Sequence, residues 1–188
     1  MAEEIDKMLI HGLHLRYEAE LRPFAETIET YYSSKSVHVY RTVVNKPARD
    51  IDFTPQLYQN RQGMGTQLPA ILSEETVASL SENERKEYVS ARAISVHLTE
   101  EKSKQEAIRQ YRSIKKKHSV HEAEEYAERK RGKYIVKLTL SPSNALVSAF
   151  HRSTSHANVL LKEGVVFEEL IDKEFGYKEF SYHEDDDK

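Results

Sequence analysis

The side chains with reactive chemistry in this sequence sit inside short apolar runs, where polar groups are least expected. Arg41 lies in the middle of VHVYRTVV, 37–44. Burying a lone guanidinium there is costly, so the position calls for an anion: a phosphate or carboxylate of a ligand, or an acid from a neighbouring element. Ser95 and His97 stand two apart in ARAISVHL, 91–98, and project from one face of a strand. His156 and Asn158 repeat that spacing at the start of HANVLL, at the end of the polar cluster His151, Ser153, Thr154, Ser155, His156 and Asn158. An arginine suits anion binding, a same-face serine and histidine beside it would make a polar cleft, and histidine serves as acid or base near neutral pH. Each also has a plainer reading, as an ion pair or as an ordinary hydrogen-bonded strand residue.

Other chemistry is excluded or disfavoured. The chain has no cysteine, which removes disulfides, thiolate metal sites and cysteine nucleophiles. It has six glycines and no phosphate loop, dinucleotide fingerprint, nucleophile elbow or zinc-protease motif. His11 with His14, and His118 with His121, lie three apart on helical segments without a third ligand at a suitable spacing, so no metal is expected. Tyr31, Tyr32, Tyr40, Tyr58 and Tyr88 fit either a stacking surface or half-buried core positions, the commoner case. Lys115–Lys117 and Arg129–Arg131 are suited to phosphate contact. Glu122, Glu124, Glu125 and Glu128 intervene, so these basic runs read as a solvated helix face. With 28 basic and 31 acidic residues the net charge is −3, which gives no overall field for nucleic acid and leaves only local contact.

The elements that must carry these residues follow from periodicity. Ile5, Met8, Leu9, Leu13, Tyr17, Leu21, Phe24, Ile28 and Tyr31 recur at helical spacing, predicting helices over 3–21 and 23–32 on either side of Pro23. Strands are predicted at 37–44, 91–98 and 133–141, and a hairpin or bent strand over 156–171. An irregular loop rich in proline, glycine and amides should fill 51–69. Ser73, Ser81 with Glu84, and Thr99 mark helix starts, giving short helices over 73–88 and a longer one after Thr99. Both that helix and the segment 115–131 have little to bury and read as solvated.

The 188 residues suit one domain, residues 1–182, with a helical segment 1–33, a strand core 37–171 bearing exposed charged helices 99–131, and an acidic tail 183–188. The opening MAEEIDKMLIHGLHL has no long apolar run of the signal-peptide kind, and no segment approaches a membrane span. A cytoplasmic protein without membrane contact is the resulting expectation.

Taken in order, the strands from Val37 to Leu170 resemble the layout of the ADP-ribosyltransferases. Tyr40-Arg41 matches that family's Tyr-Arg pair on its first strand, and SARAISVHLTEEKSKQEA stands where its Ser-Thr-Ser strand and following helix occur, with Ser95 as the corresponding residue. HANVLLKEGVVFEEL matches the apolar frame of the last element, Val159 to Phe167, but His156 and Asn158 replace its two glutamates. The resemblance implies an α+β fold, N-terminal helices packed on a small mixed or antiparallel sheet. It also implies NAD or a related nucleotide as co-substrate, with Tyr40, Arg41, Ser95 and His97 as binding residues. Ser95, His156 and Asn158 would be the catalytic residues and a macromolecule the acceptor. It leaves the carboxylate to come from elsewhere, with Glu163, Glu168 and Glu169 as candidates. Two other readings stay open: a non-catalytic inhibitor or adaptor that binds a protein partner, and an RNA-directed enzyme using histidine and arginine.

Overall fold

The computed structural model describes residues 14–59 and 71–183. Its strands are β1 (Tyr32–Ser33), β2 (Val37–Val43), β3 (Ile94–His97), β4 (Tyr134–Leu140), β5 (Ala145–Ser148), β6 (His156–Leu161) and β7 (Tyr177–Glu179). The helices are α1 (Glu18–Leu21), α2 (Ala25–Tyr31), α3 (Gln56–Gln59), α4 (Glu74–Ser79), α5 (Glu82–Ser90), α6 (Glu100–Lys115), α7 (Val120–Arg131) and α8 (Phe167–Leu170). All strands pair antiparallel in a seven-stranded sheet of order β1-β5-β6-β3-β2-β4-β7, and the fold is α+β.

Period-two alternation decides which residues meet on each side of this sheet. Val39, Val43, Ile94, Val96, Val136, Leu138, Ala157 and Val159 form one buried face. Ala48 and Phe53, from the loop after β2, cover it together with Phe167 and Leu170 of α8. Phe53 and Phe167 stack with ring centroids 4.2 Å apart. Two separate helical groups cover the opposite face. Leu21, Phe24, Ile28, Val77 and Val89 pack on Leu146 and Leu160. Ala107, Ile108, Tyr111, Ala123 and Ala127 of the α6–α7 hairpin pack on Ile135, Phe180 and Tyr182. Between the two groups lies the stretch of sheet that carries Ser95, His97 and His156.

The pairing of β2 is uneven, and this shapes the molecule. It joins β4 through seven register pairs, from Val37↔Leu140 to Val43↔Tyr134. It joins β3 at Tyr40↔His97 alone. Past that point the two strands diverge, and the sheet opens into a wedge.

Ser73, Ser81 and Thr99 cap their helices as the sequence predicts, accepting from the amides of Thr76, Glu84 and Lys102. Several expectations are corrected. The helix expected over 3–21 is interrupted before Glu18: Leu15 bridges to Lys162, the Arg16 amide donates to the Leu161 carbonyl (2.8 Å), and Tyr17 is left-handed at φ 61°. Residues 3–13 lie outside the described residues. The helices of 99–131 are not solvated arms; a stripe of alanine, one isoleucine and one tyrosine lets them lie close on the sheet. The run after Gly164 is not a strand but α8, followed by an Ile171↔Leu138 bridge. The sheet also continues beyond residue 171 into β7, and buried Phe180 and Tyr182 complete the contact beneath α6 and α7. Among the described residues no helix is long and apolar enough to cross a membrane.

The N-terminal helices are fastened by a buried ion pair. The Arg92 Nε and Nη2 both lie 2.7 Å from Glu20 Oε2, Nη1 donates to the Tyr88 carbonyl, and the guanidinium sits 3.5 Å from the Tyr88 ring centroid. With 2% of the Arg92 side chain exposed, removing its partner strands a buried charge. Glu20→Ala should therefore lower the urea-unfolding free energy by about 3–5 kcal/mol. Glu29→Ala, on the exposed side of α2, should change it by less than about 0.5 kcal/mol.

Candidate functional site

Alternation places Arg41 with Val39 and Val43, towards the core, yet its guanidinium turns into the wedge between β2 and β3. Nε donates to the Asp52 carbonyl (2.8 Å) and Nη1 to the Ser95 carbonyl (2.6 Å). The side chain thus bridges the two strands where their ladder has stopped. Neither acceptor is a carboxylate, so neither neutralises the charge. The nearby Asp52 carboxylate is engaged elsewhere, accepting from the amides of Val44 (2.7 Å) and Arg49 (2.8 Å) and from Asn45 Nδ2 (2.9 Å). Its work is to fold the loop that closes the wedge. Burial, reinforced by repulsion from Arg131 and opposed by Asp52, lowers the Arg41 pKa to about 10, so it stays a cation at neutral pH.

Arg131 is the second cation. It ends α7, and the next residue, Gly132, has φ 76° and lies directly against the Val43–Val44 backbone. A Cβ there would collide with the Val43 carbonyl, so glycine is what allows α7 to end beside β2. The Arg131 side chain is partly buried, and among the described residues it has no ion pair. Burial lowers its pKa, with Glu106 pulling the other way.

The wedge holds two chambers that share Arg41, Thr42, Ser95 and Arg131. The outer, about 480 Å³, is bordered by the loop carrying Ile51 and Pro55 and by Arg129 and Lys130. The inner, about 340 Å³, contains His97, His156, Thr154, Glu106 and Gln110. Both volumes are in the range of small-molecule sites. The rings of His97 and His156 meet edge-on at 5.6 Å. Burial, then the neighbouring His156, lowers the His97 pKa to about 4, and burial lowers that of His156. Both rings are neutral at pH 7. Glu106 accepts from Arg109 Nε (2.8 Å) and Nη2 (2.6 Å) and from Gln110 Nε2 (2.6 Å), and these donors hold its carboxyl below the usual range. The inner chamber therefore has two proton acceptors and one carboxylate, which is ion-paired with Arg109.

Of the candidate residues singled out in the sequence, Arg41, Ser95, His97, Thr154 and His156 converge on this cleft. Two others do not line it. Asn158 is in register with Ser95, but its amide donates to Ser90 Oγ (3.2 Å). Tyr40 packs edge-on against Phe175 at 5.5 Å. The alternative carboxylates are also elsewhere: the Glu163 amide donates to the His14 carbonyl, and Glu168 and Glu169 are exposed on α8, which covers the other face of the sheet. Sequence reasoning missed Glu106, and it set Arg131 aside with Arg129 and Lys130 as part of a solvated helix face. Glu106 directly precedes Ala107 on the buried stripe of α6, and Arg131 directly precedes a helix-ending glycine; both cues were present but weak. Among the described residues no group of three or more His, Asp or Glu is placed to hold a metal ion.

The histidines give the site a pH signature. His97 has a folded pKa of about 4 against an ordinary value of 6.5, so between these values the unfolded chain binds more protons. Stability is full above pH 6.5, falls as the pH drops, and levels off near pH 4, with His156 acting in the same direction. The loss should be on the order of 2 kcal/mol. Urea unfolding across this window should show a shallower pH dependence for His97→Gln than for the parent; an equal slope would remove the assignment. Comparison of the chain with protein-family models and with curated proteins, and of its fold with solved structures, gives no match.

Proposed function

We propose that the cleft binds NAD or a closely related dinucleotide and transfers its ADP-ribose portion to a macromolecule. One observation carries the reading: two partly buried arginines, Arg41 and Arg131, stand at the junction of two chambers, and among the described residues neither forms an ion pair with a carboxylate. Like charges held together away from water are unfavourable until an anion joins them. A dinucleotide has the matching order, with its diphosphate in the middle and a ring system at each end.

In this arrangement Arg41 and Arg131 bind the diphosphate by charge-assisted hydrogen bonds. Ser95 faces the adjacent ribose. The inner chamber takes the nicotinamide end, where Glu106 supplies negative charge towards the positive character that develops at the ribose C1′ as the glycosidic bond breaks. The bonding pair leaves with the nicotinamide ring. A hydroxyl or amine of the acceptor then bonds to C1′, and its proton passes to the neutral imidazole of His156 or His97. Glu106 on α6 thereby does the work that the resemblance assigns to a glutamate on β6, where Asn158 offers no charge.

Calorimetric titration with NAD should show binding that Arg41→Gln and Arg131→Gln each weaken by about tenfold or more. Glu106→Gln should keep NAD affinity within about threefold while slowing nicotinamide release about a hundredfold or more. Absence of NAD binding by the parent protein overturns the proposal. Binding without nicotinamide release, with or without acceptor, converts it to that of a non-catalytic nucleotide-binding module, the reading that uncharged Asn158 favours.

A further inference from the structure

The α6–α7 hairpin carries a second feature that leads out of the cleft. From Arg109 to Ser119 the sequence reads RQYRSIKKKHS, with Arg109, Arg112, Lys115, Lys116 and Lys117 and no acidic residue. Arg109, Arg112, Lys116 and Lys117 are exposed. The antiparallel return of α7 sets exposed Arg129 and Lys130 beside them. Two of the four acids of α7 that oppose a phosphate contact in the sequence are directed elsewhere by the fold. Glu124 pairs with His183 (3.4 Å), and Glu128 acts on Lys133 and Tyr182. Glu122, which accepts from the Ser119 amide and hydroxyl, and Glu125 stay on the basic side, beside Lys117, His118 and Arg129.

A groove between the two helices connects this surface to the cleft. The inner chamber shares Arg109, Gln110 and Arg131 with a depression of about 380 Å³. That depression shares Ser113, Ile114 and Tyr126 with a further hollow of about 520 Å³ containing Lys117, His118 and Arg129. Tyr126 is 43% exposed at the join, with Arg129 6.0 Å from its ring centroid. A tyrosine left open to water inside a cationic groove is the element on which an unpaired base stacks.

We propose that the macromolecule served by the cleft is a single-stranded nucleic acid, its backbone following Arg112, Lys116, Lys117 and Arg129 and one base stacked on Tyr126. Recognition of this kind is local, and a net charge of −3 over the whole chain does not oppose it. As the identity of an acceptor it rests on the transfer reading above, but as a binding surface it stands on the groove and on the adjoining hollow along α6, which contains Arg112 and Lys116 and shares Arg109 and Ser113 with the groove.

Fluorescence anisotropy with short labelled single-stranded RNA and DNA, and with labelled polyglutamate, tests it on the full chain. Oligonucleotide affinity should fall about fiftyfold between about 50 and about 200 mM salt, as about four phosphate contacts require. Arg112→Glu with Lys116→Glu should weaken it tenfold or more, and Tyr126→Ala about fivefold or more. The NAD affinity of both variants should stay within about threefold of the parent's. Arg41→Gln should do the reverse, losing NAD and keeping the oligonucleotide, so failure of the nucleotide reading and failure of the groove are distinguishable. Polyglutamate bound as tightly as the oligonucleotide would overturn the proposal in favour of an acidic protein partner. So would an oligonucleotide affinity untouched by the charge reversal.

Discussion

The molecule is organised around a place where its sheet stops being a sheet. β2 and β3 are register partners at Tyr40↔His97 only, and the opening beyond that pair is spanned by Arg41, donating to Asp52 on one side and Ser95 on the other. A guanidinium suits this task because its rigid fork of donors reaches two carbonyls at once and retains further N–H groups. One side chain thus joins the halves of the sheet and leaves a positive charge facing the gap. Substitution by lysine would keep the charge and lose the fork.

The carbonyls Arg41 holds and the charge it displays have separate supports. Asp52, 5% exposed, could have neutralised Arg41, but its oxygens bind Val44, Asn45 and Arg49 and shape the loop bordering the outer chamber. Arg131 is brought in by α7, whose end is fixed by Gly132 against Val43 and by Tyr182 Oη donating to the Gly132 carbonyl at 2.6 Å. The repulsion between the two arginines is sustained by contacts that involve neither of them: seven register pairs between β2 and β4, and the aromatic packing beneath the hairpin. Strain of this sort concentrates where a fold holds a site ready for a charged ligand.

The sequence made the strands and caps legible because each rests on a local signal. VHVYRTVV and KYIVKLTL alternate visibly, and Ser73, Ser81 and Thr99 hold their oxygens a fixed three residues from the amides they cap. Arg41, Ser95, His97 and His156 were legible as polar exceptions in apolar runs, and period two put three of them on a shared face. Asn158 obeyed the same rule and still missed the cleft, because facing a side is not the same as reaching a cavity; Ser90, at the end of α5, takes its amide first. Glu106 and Arg131 could not be found by strand periodicity since they belong to helices. Their placement depends on how α6 and α7 lie on the sheet, and that depends on Phe180 and Tyr182, some fifty residues further along from Arg131. The helix expected over 3–21 breaks at Leu15–Tyr17, because Leu15 is buried by a strand-like bridge to Lys162 at the β6 end and not by a helical face.

The division of the cleft between two bodies has a mechanical consequence. The sheet contributes Arg41, Ser95, His97 and His156; the hairpin contributes Glu106, Arg109 and Arg131. Moving the hairpin relative to the sheet would withdraw one arginine of the pair and the carboxylate of the inner chamber together, leaving neutral rings and a single cation. Anion binding at the pair and charge stabilisation in the chamber are therefore coupled by geometry, since an anion that draws Arg131 towards Arg41 also seats Glu106 opposite the histidines. The groove proposed for nucleic acid runs along the same hairpin, so a partner lying on α6 and α7 bears on the element that completes the site. In this architecture, the proposed acceptor surface and the carboxylate proposed for catalysis share one support.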